Sequence, residues 1–138
     1  MPALRTFLDA GVFLTAYDSE HTNTGRALRL FESPDRELIA TNLLRLEIIP
    51  QAAFHKRRDE IEFYEACFNW VSQWVDIDAA IIAEAERYGS RYGLHAIDAL
   101  HIAAALKAGA HEFITTERVT KPLFRVSELR VVRLDSLY

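Results

Sequence analysis

Cysteine occurs once in these 138 residues, as Cys67, so no disulfide can form within the chain. That scarcity fits a reducing cytosol. The sequence also lacks an uncharged apolar run approaching the roughly 20 residues that span a bilayer. Its first apolar stretch is broken by Asp9 and has no basic lead, so it does not read as a secretory leader. Location in the cytoplasm, with no membrane contact, is the expectation. Basic excess is missing as well: the net charge is −4 and the sequence pI near 5.7, which argues against a surface built to coat nucleic acid. There is no Gly-x-Ser-x-Gly elbow, no glycine-rich phosphate loop and no Cys/His spacing for zinc. Neither a linker nor an internal repeat appears.

Half of the residues are hydrophobic and 11% aromatic, the make-up of one compact domain over residues 1–138. A chain of this length buries about 68–70% of its unfolded surface, enough to fold without cross-links.

Hydrophobic patterning divides the chain into alternating elements. Leu4 to Leu8 reads as a short buried strand ending against Asp9, followed by a helix over Val12 to Tyr17 and another over Thr24 to Phe31. Glu37 to Thr41 is a second strand. Asn42 or Thr41 then caps a helix containing Glu47, and Pro50 is expected to kink or break it. Phe63, Cys67, Trp70 and Trp74 follow helical spacing and predict one apolar face of a long helix from Asp59 to Trp74. Such a stripe is core or, alternatively, a protein–protein surface. Val75 to Ile77 predicts a brief strand. Asp78 caps a helix over Ala79 to Tyr88 that stops near Gly89, and the Ala-rich run from His95 to Leu106 is a buried helix stopping at Gly109. His111 to Thr115 and Leu129 to Leu134 are strands, with a loop or short helix over Val119 to Phe124. The order implies an α/β fold with a parallel sheet covered on both faces.

Four acids punctuate these apolar elements: Asp9, Glu47, Asp98 and Glu117. An unpaired buried carboxylate costs several kcal/mol, so acids at the edges of hydrophobic elements call for a cation, a hydrogen-bond network or a wet cleft. Each has a plainer reading. Glu47 suits the surface of an amphipathic helix, and Asp98 suits the positive end of a helix dipole. Yet Asp9 and Glu117 both leave strand ends, the edge where ligands collect in open α/β sheets. His101, one turn after Asp98 on the same face, is a donor supporting the acids or, on the plainer reading, a tolerated polar group. Two basic runs, Lys56-Arg57-Arg58 and Arg118, Lys121 and Arg125, are solvated faces or a phosphate-receiving rim.

Phe7-Leu8-Asp9-Ala10, Asn42 with Glu47 five residues on, Ile97-Asp98-Ala99-Leu100-His101-Ile102-Ala103-Ala104 and Phe113-Ile114-Thr115-Thr116-Glu117 together resemble the four signature blocks of the PIN domain. The chain is especially similar to small members that act as VapC-like toxins of toxin–antitoxin pairs. The resemblance implies a PIN-like three-layer α/β/α sandwich with a central, mostly parallel sheet. It implies that Asp9, Glu47, Asp98 and Glu117 bind Mg²⁺ or Mn²⁺ and serve catalysis, with Asn42, Thr115 and Thr116 in support. Glu117 departs from the commoner Asp and is one methylene longer. The implied activity is a Mg²⁺-dependent endoribonuclease acting on single-stranded RNA, with a cognate antitoxin and a homodimeric state. The residue types fit independently, since Mg²⁺ takes oxygen ligands and keeps several waters.

Two other classes are open to the sequence. One is a non-catalytic PIN-like interaction module using the aromatic helix face. The other is an aspartate-nucleophile phosphatase, weakened because Gly11 stands where a second Asp would follow Asp9.

Overall fold

The computed structural model describes residues 2–138. Five strands form one sheet: β1 (Leu4–Leu8), β2 (Arg36–Thr41), β3 (Gln73–Val75), β4 (Glu112–Thr115) and β5 (Arg130–Arg133). Their order is β3-β2-β1-β4-β5, and every pairing is parallel. Six helices connect them: α1 (Ala10–Tyr17), α2 (Thr24–Phe31), α3 (Leu43–Phe54), α4 (Arg58–Phe68), α5 (Ala79–Tyr92) and α6 (Ala96–Lys107). The expected three-layer α/β/α sandwich is present, and its sheet is parallel throughout.

Strand periodicity builds the layers, because successive side chains point to opposite faces. Leu8, Leu38, Ala40, Ile114 and Val132 meet residues of α1 to α4, including Phe13, Leu30, Leu44 and Tyr64. Phe7, Ile39, Val75 and Phe113 face the other way, onto Ile81 and Ala85 of α5 and Ile102, Ala103 and Ala104 of α6. Parallel strands need crossovers, and right-handed crossovers change face when the direction of travel across the sheet reverses. The chain moves from β1 outward to β3, then returns past β1 to β4. A topological switch point therefore lies between β1 and β4, where such sheets bind ligands at their carboxyl ends.

Several boundaries differ from those expected. Helix α4 stops at Phe68 rather than running to Trp74: the amides of Asn69, Trp70 and Val71 bond three residues back, to Ala66, Cys67 and Phe68, tightening the last turn. The next residues pair with β2 instead, Ile39 opposite Gln73 and Thr41 opposite Val75. Hence β3 begins before Val75, and the aromatic stripe is not one helix face. Cys67 is buried in the core, whereas Trp70 and Trp74 are 52% and 38% exposed beyond the helix. Pro50 does not break α3, which continues to Phe54. The carbonyl it deprives of a donor belongs to Leu46, on the exposed side of the helix, where water can satisfy it. Helix α5 passes through Gly89 and ends at Gly93, whose φ of 71° is the left-handed conformation of a helix stop. Asn42 caps nothing with its side chain, while Thr41 Oγ1 accepts from the Leu43 amide at 3.2 Å.

Candidate active site

The register of β1 against β4 sets Leu8 opposite Ile114, so the residues that follow both strands emerge side by side at the switch point. The Asp9 amide continues the ladder to Ile114 O at 3.3 Å. Asp9 then leaves the strand as the N-cap of α1, its Oδ1 accepting from the Gly11 amide at 2.9 Å. One carboxylate oxygen is thereby fixed. Thr115, fully buried, stands close enough to the Asp9 carboxylate to pull its pKa down, and its hydroxyl accepts from the Glu117 amide at 3.1 Å. One side chain thus stands beside both strand-end residues.

Close approach between the two strand ends depends on Gly11. A Cβ at that position would stand 2.1 Å from Thr116 Oγ1 and 3.2 Å from Asp9 Oδ1. Only glycine admits the hydroxyl there.

The other two acids arrive on helices from opposite faces of the sheet. Glu47 lies in the second turn of α3, and its Oε1 is 2.6 Å from Nε2 of His101 on α6. His101 is 2% exposed, stands beside the ring of Phe7, and has Nδ1 3.4 Å from Thr41 Oγ1. Because the Leu43 amide already occupies a lone pair of that hydroxyl, Thr41 is free to donate to Nδ1, leaving Nε2–H to donate to Glu47. Of the two readings of His101, the structure bears out the donor, and the partner is Glu47. Helical spacing had shown only that it shares a face with Asp98. Its link to Glu47, fifty-four residues away, is tertiary.

Asp98 sits in the first turn of α6, partly buried. Loss of hydration is the main force raising its pKa, the fields of Glu117 and Glu47 add to it, and His101 and His95 oppose. Asp9 is raised to about 6, first by desolvation, with a further push from Asp98; Thr115, His101 and the Gly11 amide pull the other way. Asp98 therefore lies within electrostatic reach of Asp9, Glu47 and Glu117. Among the described residues no lysine or arginine pairs with Asp9, Asp98 or Glu117. Nor do any three His, Cys, Asp or Glu side chains close on a point as a ready cage for an ion. Carboxylate oxygens with no lysine or arginine partner suit a hard cation that retains water.

Asn42 stands apart from the acids. Its Oδ1 accepts from the Ile77 amide at 3.2 Å and its Nδ2 reaches Asp76, so it straps the start of α3 to the end of β3. Of the basic residues, Arg118 and Lys121 are exposed on the loop that Glu117 opens. Arg125 is held by the Tyr92 carbonyl, and Arg57 pairs with Glu60 at 3.1 Å. Among the described residues, no helix is long and apolar enough to cross a membrane.

Known proteins share this frame. No curated protein matches the sequence. VapBC2 of Rickettsia felis, solved bound to a DNA fragment from its promoter, superposes with a TM-score of 0.74 at 12% identity, over 94% of this chain and 98% of that one. A toxin–antitoxin complex from Klebsiella pneumoniae gives 0.72 at 18% identity, over 94% and 97%. VapC20 of Mycobacterium tuberculosis, a toxin that cleaves the sarcin–ricin loop, gives 0.63 at 18%, over 78% and 86%. At such identities the likeness speaks for the fold. The sequence model of the PIN domain matches residues 6–121, a span that contains Asp9, Glu47, Asp98 and Glu117 alike, and the chain accordingly belongs to the PIN domain family.

Proposed function

We propose that the protein is a metal-dependent endoribonuclease acting on single-stranded RNA, and the toxin of a toxin–antitoxin pair. One observation carries the reading: Asp98 feels the charges of Glu117 and Glu47 and acts on Asp9, which leaves β1 at the switch point, and among the described residues no lysine or arginine pairs with Asp9, Asp98 or Glu117. Carboxylates so placed repel one another, and a divalent cation is the chemical complement that relieves them.

Mg²⁺ or Mn²⁺ bound there would supply an acidified water and neutralise charge on a phosphodiester. Asp9 and Asp98 are the direct ligands in this reading: burial raises the pKa of both carboxyls, and a cation is the charge that would offset that burial. Glu47, aimed by His101, and Glu117, exposed on its loop, orient water and phosphate. Thr115 holds Asp9 in place, Thr116 sets the spacing between the strand ends, and Asn42 braces the α3 side. Arg118 and Lys121 receive RNA phosphates.

The folds of VapBC2 and the Klebsiella complex support an antitoxin partner. VapC20, which cleaves an RNA loop, supports the substrate class. Exposed Ile82 and Ile97 on α5 and α6 favour a homodimer, and the lone buried thiol of Cys67 favours the cytoplasm. The interaction-module alternative loses its helix face, since Trp70 and Trp74 lie outside α4.

Incubation with single-stranded RNA tests the proposal. Cleavage should require Mg²⁺ or Mn²⁺, stop with a chelator, and fall by at least about a hundredfold in Asp98→Asn, a rise of nearly 3 kcal/mol in the barrier. Cleavage that persists in Asp98→Asn or in chelator would refute it.

A further inference from the structure

Between α3, α4 and β3 lies a groove that the chemistry above does not use. It has a volume of about 340 Å³ and is lined by Asn42, Arg45, Glu65, Phe68, Asn69 and Trp74. That is the lower end of the range for small-ligand sites, about 300–1,000 Å³. Trp74 is 38% exposed although it belongs to a strand, and its ring meets Phe68 edge-on at 5.5 Å. Arg45 lies over the Phe68 ring at 5.3 Å and is held by Glu65 through two bonds of 2.9 and 2.7 Å. The groove thus has an aromatic wall fixed from behind, and amide and carboxylate groups at its rim.

Its place in the fold links it to the acids. Asn42 lines the groove and precedes α3, the helix that carries Glu47. Trp74 pairs with Ala40 on β2, and β2 neighbours β1. Trp74 is therefore two strand spacings, about 10 Å, from the strand that delivers Asp9.

We propose that this groove is a nucleobase subsite, in which one base of the RNA stacks on Trp74 while the Asn69 amide and the remaining lone pairs of Asn42 and Glu65 face its polar edge. The proposal rests on the ribonuclease reading for its ligand. Stacking fits an indole that is 38% exposed and lines the groove, and amides and a carboxylate offer both donors and acceptors to a base edge. Arg45, already neutralised by Glu65, shapes the wall rather than drawing phosphate.

Binding is measured with a fluorescent hexaribonucleotide, in chelator so that no cleavage occurs, and compared with the same oligomer carrying one abasic ribose at each position in turn. Wild-type protein should lose about tenfold or more in affinity at one abasic position and little at the others. Trp74→Ala should weaken the intact oligomer by a similar factor and abolish the positional difference. Trp74→Phe should keep most of both, and Trp70→Ala should change neither. Under turnover, Trp74→Ala should raise KM with little change in kcat. If wild-type protein shows no position-dependent loss, or if Trp74→Ala binds as wild type while cleavage stays metal-dependent, the subsite is wrong and the nuclease reading stands. If no cleavage occurs at all but the abasic pattern depends on Trp74, the nuclease reading fails and the subsite stands. A Trp74→Ala variant altered only in oligomeric state during sedimentation would assign the groove to a second copy and overturn the proposal.

Discussion

His101 and Glu47 meet at 2.6 Å across the carboxyl edge of the sheet, one from a helix on each face. The imidazole is buried and bonded on both nitrogens, so it acts as a strut between α6, α3 and the end of β2. Replacing it with an apolar side chain of similar size, His101→Leu, keeps the packing against Phe7 but frees Glu47 and Thr41. Thermal unfolding should show a loss of about 1–3 kcal/mol. Mn²⁺ affinity by titration calorimetry should fall about 10- to 100-fold, the usual cost of losing a group that orients a ligand. Unchanged affinity would show that Glu47 does not serve the ion.

Asp9 gives the metal-free fold a defined pH response. Its folded pKa of about 6 lies above the ordinary 3.8, so the folded protein holds this proton more tightly than the unfolded chain. From roughly pH 4 to pH 6 stability should therefore decline as pH rises, then level off. The penalty at neutral pH is on the order of 2–3 kcal/mol, discounted for the solvent contact that Asp9 retains. Asp9→Asn should lose that slope and unfold at higher denaturant near pH 7 than wild type. Parallel pH profiles for the two proteins would contradict this origin of the slope.

Divalent cation should reverse the same penalty. Because an ion binds the folded carboxylates and not the unfolded chain, Mg²⁺ at about a hundred times its Kd should add about 2.7 kcal/mol. Asp98→Asn should abolish the gain while remaining folded by circular dichroism. A mutant that unfolds would make Asp98 structural, as would a wild-type protein indifferent to Mg²⁺.

Gly11 and Thr116 form a steric pair. Gly11→Ala alone places a methyl group 2.1 Å from the Thr116 hydroxyl and should destabilise by about 1–3 kcal/mol. Thr116→Ala removes the colliding oxygen. The double variant should recover much of the loss, a coupling that a double-mutant cycle of unfolding free energies reads directly. Simple additivity would mean the strand ends do not touch as described.

Much of this architecture was legible in the chain, and the exceptions have physical causes. The strand Leu4–Leu8, the helix Thr24–Phe31 and the position of Asp98 in the first turn of its helix follow from local pattern alone. The stripe Phe63, Cys67, Trp70 and Trp74 misled because helical spacing persists by chance through a turn. There, pairing with β2 outweighs helix propensity for a segment rich in Val and Trp. Pro50 misled in the other direction, since a proline on a solvated helix face is cheaper than one facing a core. Residue types and strand ends singled out the four acids and Thr115 beside them, but not the bond from the His101 imidazole to Glu47. That bond joins segments 54 residues apart and has no local signature.

The most direct test is diffraction from crystals soaked in Mn²⁺, with data collected at the manganese edge. The account predicts an anomalous peak at the carboxyl ends of β1 and β4, in contact with Asp9 and Asp98 and completed by water. A peak elsewhere on the molecule, or none at saturating Mn²⁺ with Asp98 turned to bulk solvent, would contradict it.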